Sequence, residues 1–238
     1  MICEAFAQGC SGVVSDARKG IQEGAAFFYG VVPETLPIWK QVIAEGRDYY
    51  YADNAYFDKG RQAYYRVTKN ALQLSALAKP DYLRLEAIGG KVRPWRTDGQ
   101  HIVVCEQSDA FMNLCGYGAG WLDKTVSILK ARTKRPLVIR RWNRDKGKML
   151  ATLRNDLVNA WCLVTHMSAA SNEALLSGVP VIVTGPCAAL PMSGKSLDEI
   201  DNPVMPDGRE AWSAGLAANQ WTVDELRNGK CWRELNAG

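Results

Sequence analysis

Residues 161–184 have the sequence WCLVTHMSAASNEALLSGVPVIVT, whose pattern predicts a strand, a helix and a second strand. The first strand is Trp161–Thr165, the helix is Ser168–Ser177, and the second strand is Val179–Thr184. In an open α/β sheet, ligands bind beyond the carboxyl ends of the strands, where the free N–H groups of helix starts point outward. The segment therefore predicts an anion-binding site just after Thr165.

Polar side chains follow the first strand at a spacing that suits a phosphate. The imidazole of His166, the hydroxyls of Ser168 and Ser171, and backbone amides between them converge on one place. Glu173 follows one helical turn later, and its carboxylate can accept hydrogen bonds from two adjacent hydroxyls, as a ribose presents them. The alternative for Glu173 is a carboxylate that only stabilises the first turn of the helix.

The composition is that of an ordinary globular protein, with 47% hydrophobic and 23% charged residues among 238, which argues against disorder and fibrous repeats. Seven scattered cysteines without CxxC pairs, together with two histidines, predict free thiols and argue against a structural zinc site. We predict no metal and no resident cofactor.

No apolar run approaches the roughly 20 residues of a membrane span, and the first residues lack a signal-peptide pattern, so we expect a cytoplasmic protein.

Strand-like and helix-like segments alternate along the chain, which predicts an α/β fold with mainly parallel sheets. A stretch rich in proline, glycine and charge between Lys79 and Gly99 predicts a boundary between two lobes. We expect two small Rossmann-like lobes that face a cleft, with residues 1–98 forming the N-terminal lobe and residues 99–206 the C-terminal, ligand-binding lobe. Residues 207–238 are expected to form C-terminal helices that pack across the lobes.

The remaining elements follow from hydrophobic periodicity and turn residues. Strands are predicted at Met1–Phe6, Ala25–Val31, Tyr49–Ala52, His101–Glu106 and Pro136–Arg140. Helices are predicted near Val13–Gln22 and at Glu34–Glu45, Trp121–Arg132, Lys148–Asn159, Arg209–Gln220 and Thr222–Glu234. Thr222 and Glu225 have the spacing of a capping box. Trp212, Trp221 and Trp232 are interpreted as packing residues rather than ligand contacts.

Cations are concentrated in one short window of the sequence. They are Lys130, Arg132, Lys134, Arg135, Arg140, Arg141, Arg144, Lys146 and Lys148. Such a cluster either binds an anion or forms a solvated surface, and the pattern leaves both open. The loop Pro191–Ser196 follows Ala189, where a phosphate-binding P-loop needs its first glycine, which argues against a kinase. We interpret this loop as a flap over the ligand that brings Lys195 close to a phosphate.

Residues 165–182 resemble the donor-nucleotide motif of GT-B glycosyltransferases and their relatives, including capsule-polysaccharide transferases. In that family, the serine and histidine side of the motif holds the donor pyrophosphate, and the glutamate holds the ribose. The resemblance therefore implies phosphate contacts from His166, Ser168 and Ser171. It implies a ribose contact from Glu173.

The resemblance extends to other parts of the chain. Family members commonly place a cation after the preceding strand, which implies that Arg140 or Arg141 faces the donor phosphates. Side chains alternate along a strand, so one arginine faces that side and the other faces away. The segments Phe28–Val31 and Tyr51–Phe57 are similar to small phage-encoded proteins of this glycosyltransferase-like group. At 238 residues the chain is shorter than a typical two-domain GT-B enzyme, which implies a reduced N-terminal lobe.

Sugar transfer with inversion needs a base that takes the proton of the acceptor hydroxyl. Asp53, at the end of the strand Tyr49–Ala52, is the first candidate, and Glu106 is the second. The alternative for Asp53 is a turn residue that stops the strand. Arg66 and Lys69 have a spacing that places them on one helical face, where they either bind a phosphate or are solvated.

Together, the motif and the resemblance predict a nucleotide-sugar-dependent glycosyltransferase that transfers a hexosyl or pentosyl group from a donor such as a UDP-sugar. The phage resemblance implies hydroxymethylated pyrimidines in DNA as the acceptor. One alternative is a non-catalytic protein that keeps the fold and binds a nucleotide or inhibits a host protein. Another is a sugar-nucleotide epimerase or hydrolase, which would turn over the donor without an acceptor.

Overall fold

The computed structural model describes residues 1–16, 19–20, 23–57, 64–74, 79–141 and 149–237, without the side chains of 149–152. Its strands are β1 (Ala26–Tyr29), β2 (Tyr49–Asn54), β3 (Tyr64–Lys69), β4 (His101–Cys105), β5 (Leu137–Arg140), β6 (Ala160–Thr165), β7 (Val181–Val183) and β8 (Gln220–Thr222). Its helices are α1 (Ile2–Gly9), α2 (Leu36–Ala44), α3 (Tyr82–Ala87), α4 (Asp109–Leu114), α5 (Trp121–Arg132), α6 (Met149–Asp156), α7 (Ala170–Leu176), α8 (Arg209–Ala218), α9 (Val223–Arg227) and α10 (Lys230–Leu235). The predicted α/β fold is confirmed.

The chain divides into two compact units. The first unit combines Met1–Arg84 with Ala214–Gly238, and the second unit is Leu85–Ser213. The predicted lobes have different bounds from these two units, because the boundary predicted after residue 98 lies inside the second unit. The C-terminal residues predicted as a separate group of helices belong, from Ala214 onward, to the first unit.

The second unit contains a fully parallel sheet with strand order β5-β4-β6-β7. Its central strands β4 and β6 are almost continuously apolar, as expected where both faces of a parallel sheet are covered. Ile102, Val104, Cys162 and Val164 have no exposed surface, and they share a hydrophobic cluster with Leu129 of α5. The Rossmann-like unit predicted for this half is confirmed. Its carboxyl strand ends meet along one edge, where the predicted ligand contacts begin.

The first unit contains a mixed sheet with strand order β1-β2-β3-β8. The pair β1 and β2 is parallel and is connected through α2, but β3 is antiparallel to both β2 and β8. No strand was predicted at Tyr64–Lys69, and the prediction of a mainly parallel sheet is wrong for this unit at β3. Arg66 and Lys69 lie on this strand, so the helical face predicted for them is wrong. Residues three apart on a strand point to opposite faces.

The chain begins with a helix, where a strand was predicted at Met1–Phe6. Helix α1 buries Ile2, Ala5 and Phe6, whose spacing of three and four residues forms one helical face. The ring of Phe6 stacks on Phe27 with 4.1 Å between the ring centroids. An apolar run of this length fits either element, and tertiary packing selected the helix. Of the helix predicted near Val13–Gln22, residues 13–16 are not helical, and residues 17, 18, 21 and 22 lie outside the described residues.

The C-terminal segment differs from its prediction because it contributes a strand to the first sheet. Helix α8 ends at Ala218, and Gln220 then pairs with Arg66 of β3. Gln220 is fully buried, and its side-chain Oε1 accepts a hydrogen bond from the backbone N of Tyr56 at 3.0 Å. The predicted helix Thr222–Glu234 is divided into α9 and α10. Its predicted capping box between Thr222 and Glu225 is confirmed.

The tryptophans of this segment are packing residues, as predicted. Trp212 and Trp221 are each 2% exposed, and Trp232 packs against the ring of Tyr50. All seven cysteines are free, as predicted. Within the described part of the chain, every helix is too short or too polar to cross a bilayer.

Candidate functional site

Thr165 ends strand β6 and fixes the direction of the chain that follows. Its buried hydroxyl donates to the carbonyl oxygen of Cys105 at 2.9 Å and accepts from the backbone N of Ser168 at 3.4 Å. Cys105 ends the neighbouring strand β4, opposite Thr165 in register. One hydroxyl therefore ties the turn after β6 to the adjacent strand end.

The two serines of this turn have different positions. Ser168 is half-buried, and its Oγ accepts from the backbone N of Ala170 at 3.3 Å. Ser171 has no exposed surface, and its hydroxyl donates to the carbonyl oxygen of Ser168 at 2.7 Å. Helix α7 begins at Ala170, two residues after the predicted start. Of the two serines predicted as phosphate contacts, Ser168 is partly exposed, whereas Ser171 is buried and contacts the backbone of Ser168.

Glu173 lies in the first turn of α7, as the sequence predicts, and its side chain is half-buried. The residue before it, Asn172, is 2% exposed, and its Oδ1 has no hydrogen-bond partner among the described residues. A polar atom that loses water on folding without gaining a partner is uncommon in proteins and calls for an explanation. Of the four donor contacts predicted in the motif, Ser168 and Glu173 are the two whose side chains reach solvent, whereas His166 and Ser171 are buried.

His166 is buried to 5% exposure, directly behind the turn. Its Nδ1 lies 2.9 Å from the hydroxyl of Thr184, which also accepts a hydrogen bond of 2.8 Å from the indole N–H of Trp121. Burial lowers the pKa of His166 below its usual range, so the ring is neutral near pH 7. A side chain at Gly185 would place its Cβ 2.5 Å from Nε2, so the backbone of Gly185 covers this ring edge.

The two predicted arginines differ in exposure. Arg140, at the end of β5, forms an ion pair with Asp156, and its side chain is 13% exposed. Arg141 is 68% exposed, and its Nη1 lies 3.7 Å from Oε1 of Glu106, which follows β4. Glu106 was the second candidate for the base. Arg141 is therefore the more accessible cation at this edge of the sheet.

Two of the four other described cations of the basic window are paired with acids of the same unit. Arg132 forms an ion pair with Asp198, and Arg135 lies 3.2 Å from Asp201 while its guanidinium covers the ring of Trp161. This supports the solvated-surface interpretation for Arg132 and Arg135. Arg144, Lys146 and Lys148 lie outside the described residues.

The loop predicted as a flap is hydrogen-bonded along the edge of β7. The backbone N of Gly194 donates to the carbonyl of Val181 at 2.8 Å, and the N of Val183 donates to the carbonyl of Gly194 at 3.0 Å. The chain at Gly194 thus extends the sheet, and Lys195 follows it with an exposed side chain.

Two predicted residues of the first unit come together as an ion pair. Arg66 is 9% exposed, and its Nη2 lies 2.6 Å from Oδ2 of Asp53. Asp53 also accepts from the hydroxyl of Tyr51 at 3.2 Å and from the backbone N of Asn54 at 2.7 Å. The carboxylate predicted as the base thus serves as the counterion of a buried guanidinium.

The sequence did not single out Tyr117, which the structure places beside His166. Their ring centroids are 4.5 Å apart with an angle of 74° between the planes, an edge-to-face contact. Tyr117 is 47% exposed. In the sequence, Gly116, Gly118 and Gly120 stand at every second position around Tyr117. This spacing predicts an unusual backbone conformation, but it does not predict the contact with His166.

Comparisons with known proteins support a glycosyltransferase-like fold. No protein-family model and no curated protein sequence matches the chain. Among solved structures, the chain is similar to the KpsC beta Kdo 2,4 transferase of Thermosulfurimonas dismutans, with a TM-score of 0.56 and 11% identity over 92% of this chain and 88% of that chain. The KpsC beta Kdo 2,7 transferase of the same organism has a TM-score of 0.47 and 13% identity over 99% of this chain and 95% of that chain. The first likeness shows the fold of a glycosyltransferase over nearly the whole chain.

Proposed function

We propose that the chain is a nucleotide-sugar-dependent glycosyltransferase whose donor binds at the carboxyl ends of β4 and β6. The observation that carries the proposal is the turn after Thr165, which presents Ser168 and Glu173 to solvent at the carboxyl end of a parallel sheet. The Ser168 hydroxyl and nearby backbone amides bind the donor phosphates, and Glu173 binds the ribose hydroxyls. Arg141 supplies positive charge. The glycosyltransferase-like fold supports this assignment.

In the proposed reaction, an acceptor hydroxyl attacks the anomeric carbon of the donor sugar. The bond from that carbon to the phosphate oxygen breaks, a carboxylate takes the acceptor proton, and the nucleotide leaves with the bonding electron pair. Positive charge and N–H donors around the leaving phosphate lower the barrier, because negative charge develops there. Asp53 and Glu106 are the two candidate bases. Hydroxymethylated pyrimidine in DNA is the first acceptor to test, and nucleotide-activated Kdo joins UDP-sugars in the donor panel.

The pairing of Asp53 with Arg66 favours a second candidate function, a nucleotide-binding protein without catalysis. Both carboxylate oxygens of Asp53 already accept hydrogen bonds within the first unit. A protein of this kind binds the nucleotide without turnover. Nucleotide release measured from each donor, with and without hydroxymethylated DNA, together with the mass of the DNA, distinguishes the two functions.

Donor binding is tested at Glu173, with Asp123 as a matched acidic residue in the first turn of α5. Ligand at about 100 times its Kd stabilises a native protein by about 2.7 kcal/mol, so wild-type protein should show a clear rise in Tm with its nucleotide. Glu173→Gln removes the charged acceptor of two ribose hydrogen bonds and should weaken binding by about tenfold. Asp123→Asn should bind like wild type.

The measurement is a thermal-shift panel of nucleotides and nucleotide-sugars, followed by calorimetric Kd values for the best ligand. The proposal fails if no nucleotide raises the Tm of the wild-type protein. It also fails at this site if Glu173→Gln and Asp123→Asn bind the best ligand equally well.

A further inference from the structure

Arg209, the first residue of helix α8, is a buried cation of the second unit. Its exposure is 8%, and its guanidinium forms no ion pair with any carboxylate in the described part of the chain. A charge that loses water without gaining a partner is costly, so a buried arginine needs another source of negative potential. The hydrogen bonds of Arg209 identify that source.

Carbonyl oxygens take the place of a carboxylate around Arg209. Its Nη1 donates to the carbonyl of Leu175 at 2.7 Å, and its Nη2 donates to the carbonyl of Arg93 at 2.9 Å. Leu175 lies in the last turn of α7, where the helix dipole has its negative end and favours a cation. The guanidinium carbon lies 3.5 Å from the ring centroid of Trp95, a cation–π contact. Arg209 therefore joins the end of α7 to the connector of residues 88–100, between α3 and β4.

Backbone groups of the same connector also bind the end of α7. The N of Arg93 donates to the carbonyl of Leu176 at 2.9 Å, and the N of Arg96 donates to the carbonyl of Gly178, two residues past the helix, at 2.8 Å. The last carbonyls of a helix have no partner within it, so these contacts stabilise the end of α7. A helix of seven residues is only marginally stable by itself in water, so its position depends on such contacts.

The two residues proposed to bind the donor lie near the start of the same helix. Ser168 precedes α7 by two residues, and Glu173 is in its first turn, two residues before Leu175. The turn after β6 is fixed by the hydroxyl of Thr165, which accepts from the backbone N of Ser168 at 3.4 Å. A helix of this length spans only about 10 Å, so a displacement of its end moves Glu173 as well.

We propose that Arg209 is a positioning residue for donor binding, which holds Glu173 in place by binding the end of α7. This role rests on the proposed function, because Glu173 is the proposed ribose contact. Arg209→Lys keeps the positive charge but loses the planar, forked guanidinium that reaches two carbonyls and stacks on Trp95. This variant therefore tests positioning separately from charge.

Arg96→Lys is the matched control for Arg209→Lys. Arg96 belongs to the same connector, and its Nη1 donates to the carbonyl of Leu157, just after α6, at 2.5 Å. The two arginines thus make the same kind of contact with the ends of two different helices. Helix α6 carries none of the proposed donor contacts, so its displacement should leave the donor site unchanged.

The first measurement is the Kd of the tightest ligand among UDP, CDP, GDP and ADP. We expect Arg209→Lys to weaken binding by about three- to tenfold, because a displaced Glu173 loses at most the contact that Glu173→Gln removes. Arg96→Lys should bind within about twofold of wild type. The double variant Arg209→Lys/Glu173→Gln should bind within about twofold of Glu173→Gln alone, because the two residues act through one contact.

Hydrogen exchange without any nucleotide tests whether Arg209 fixes the end of α7. The amides of Ser177 and Val179 close the last turn of the helix, with donor–acceptor distances of 3.0 and 2.9 Å, and they report its opening. In Arg209→Lys they should exchange about five- to tenfold faster than in wild type, measured relative to the amide of Val103 in β4, which reports global opening.

The outcomes separate the two proposals. Trp95→Leu removes the ring beside the guanidinium and provides the same measurements, with the same expected direction, where Arg209→Lys fails to fold. If the wild-type protein binds no nucleotide, the proposed function fails, and the positioning role fails with it. If a nucleotide binds but Arg209→Lys and Arg96→Lys bind it equally well, the positioning role is overturned and the proposed function stands. The same holds if the effects of Arg209→Lys and Glu173→Gln multiply, or if exchange at the end of α7 is unchanged.

Discussion

Arg66 is a buried cation whose neighbours determine its charge state. Burial alone would lower its pKa, but Asp53 and the hydroxyls of Tyr56 and Tyr51 outweigh that effect, and the pKa is raised above its usual range. Arg66 is therefore charged at neutral pH. A charged guanidinium at 9% exposure needs its carboxylate partner, since unpaired buried charge is strongly destabilising.

Asp53→Asn is expected to lower the free energy of unfolding by about 2 to 4 kcal/mol, because it leaves Arg66 without a counterion. Asp224→Asn removes an exposed carboxylate paired with Arg227 and should cost less than about 1 kcal/mol. Equilibrium urea unfolding measures both. If Asp53→Asn unfolds like wild type but loses sugar transfer, Asp53 is the catalytic base and its structural role is minor.

At the scale of elements, the connector before β4 determines how α7 ends. The backbone N of Arg93 donates to the carbonyl of Leu176 at 2.9 Å, and the N of Arg96 donates to the carbonyl of Gly178 at 2.8 Å. Arg209 adds side-chain hydrogen bonds to the carbonyls of Leu175 and Arg93, at 2.7 and 2.9 Å. The connector predicted as a lobe boundary is thus bound to the end of the helix that carries Glu173.

Gly178→Ala should break this contact. Its φ of 78° is unfavourable for alanine, and the new Cβ would lie 2.0 Å from the carbonyl oxygen of Pro94. We expect a loss of more than about 2 kcal/mol in unfolding free energy, from backbone strain of about 1 to 2 kcal/mol plus the steric conflict. Gly208→Ala is the matched control, because its φ is 84° and no atom lies within 4 Å of the new Cβ. If both variants lose the same unfolding free energy, the connector shifts away from the new Cβ without destabilising the protein, which would contradict this prediction.

Element prediction succeeded where one segment determines its own structure. Trp121–Arg132 is helical with the predicted bounds, since its periodicity and flanking residues agree. Prediction failed at Met1–Phe6 and at Gln220–Thr222. The first has an apolar pattern that fits both a helix and a strand, and the second becomes a strand by pairing with β3, more than 150 residues earlier in the chain. Such non-local pairing is not visible in a local sequence window.

For the whole molecule, an ion-pair network joins the two stretches that form the first unit. The guanidinium of Arg84 binds both carboxylate oxygens of Glu225 and donates to the carbonyl of Gln220 at 2.7 Å. Lys230 adds an ion pair to Glu225 at 2.9 Å. Burial alone would raise the pKa of Glu225, but hydrogen bonds from Arg84, Lys230 and the Thr222 amide outweigh it and lower the pKa to about 2.

This network should make stability depend on pH in a defined window. The folded-state pKa of Glu225 lies below its ordinary value of 4.5, so its contribution is complete above about pH 4.5 and is lost as the pH falls towards about 2. We expect Glu225→Gln to cost about 2 to 3 kcal/mol at neutral pH, after allowance for solvent screening, and much less at about pH 3. Urea unfolding at several pH values measures the difference. Glu234→Gln, at a half-exposed carboxylate near the same lysine, is the control. The prediction is contradicted if the difference in unfolding free energy between wild type and Glu225→Gln is the same at every pH.

The candidate site was predictable in part. The motif located Ser168 and Glu173 correctly at a strand end, because strand, turn and helix are contiguous in sequence. Burial of His166 and Ser171 was not predictable, since it depends on Thr184, Trp121 and the packing of α7. The contact of Tyr117 with His166 was not predictable, because the two residues are far apart in the chain.

The pairing of β8 with β3 also sets an order of events during synthesis. The second unit is one continuous stretch, and it is made after β3 but before Gln220–Thr222. Until then β3 has an open edge, and open edges pair readily with other nascent chains. The first unit therefore completes its sheet only at the end of synthesis, and the open edge of β3 is the part of the newborn chain that most needs chaperone protection.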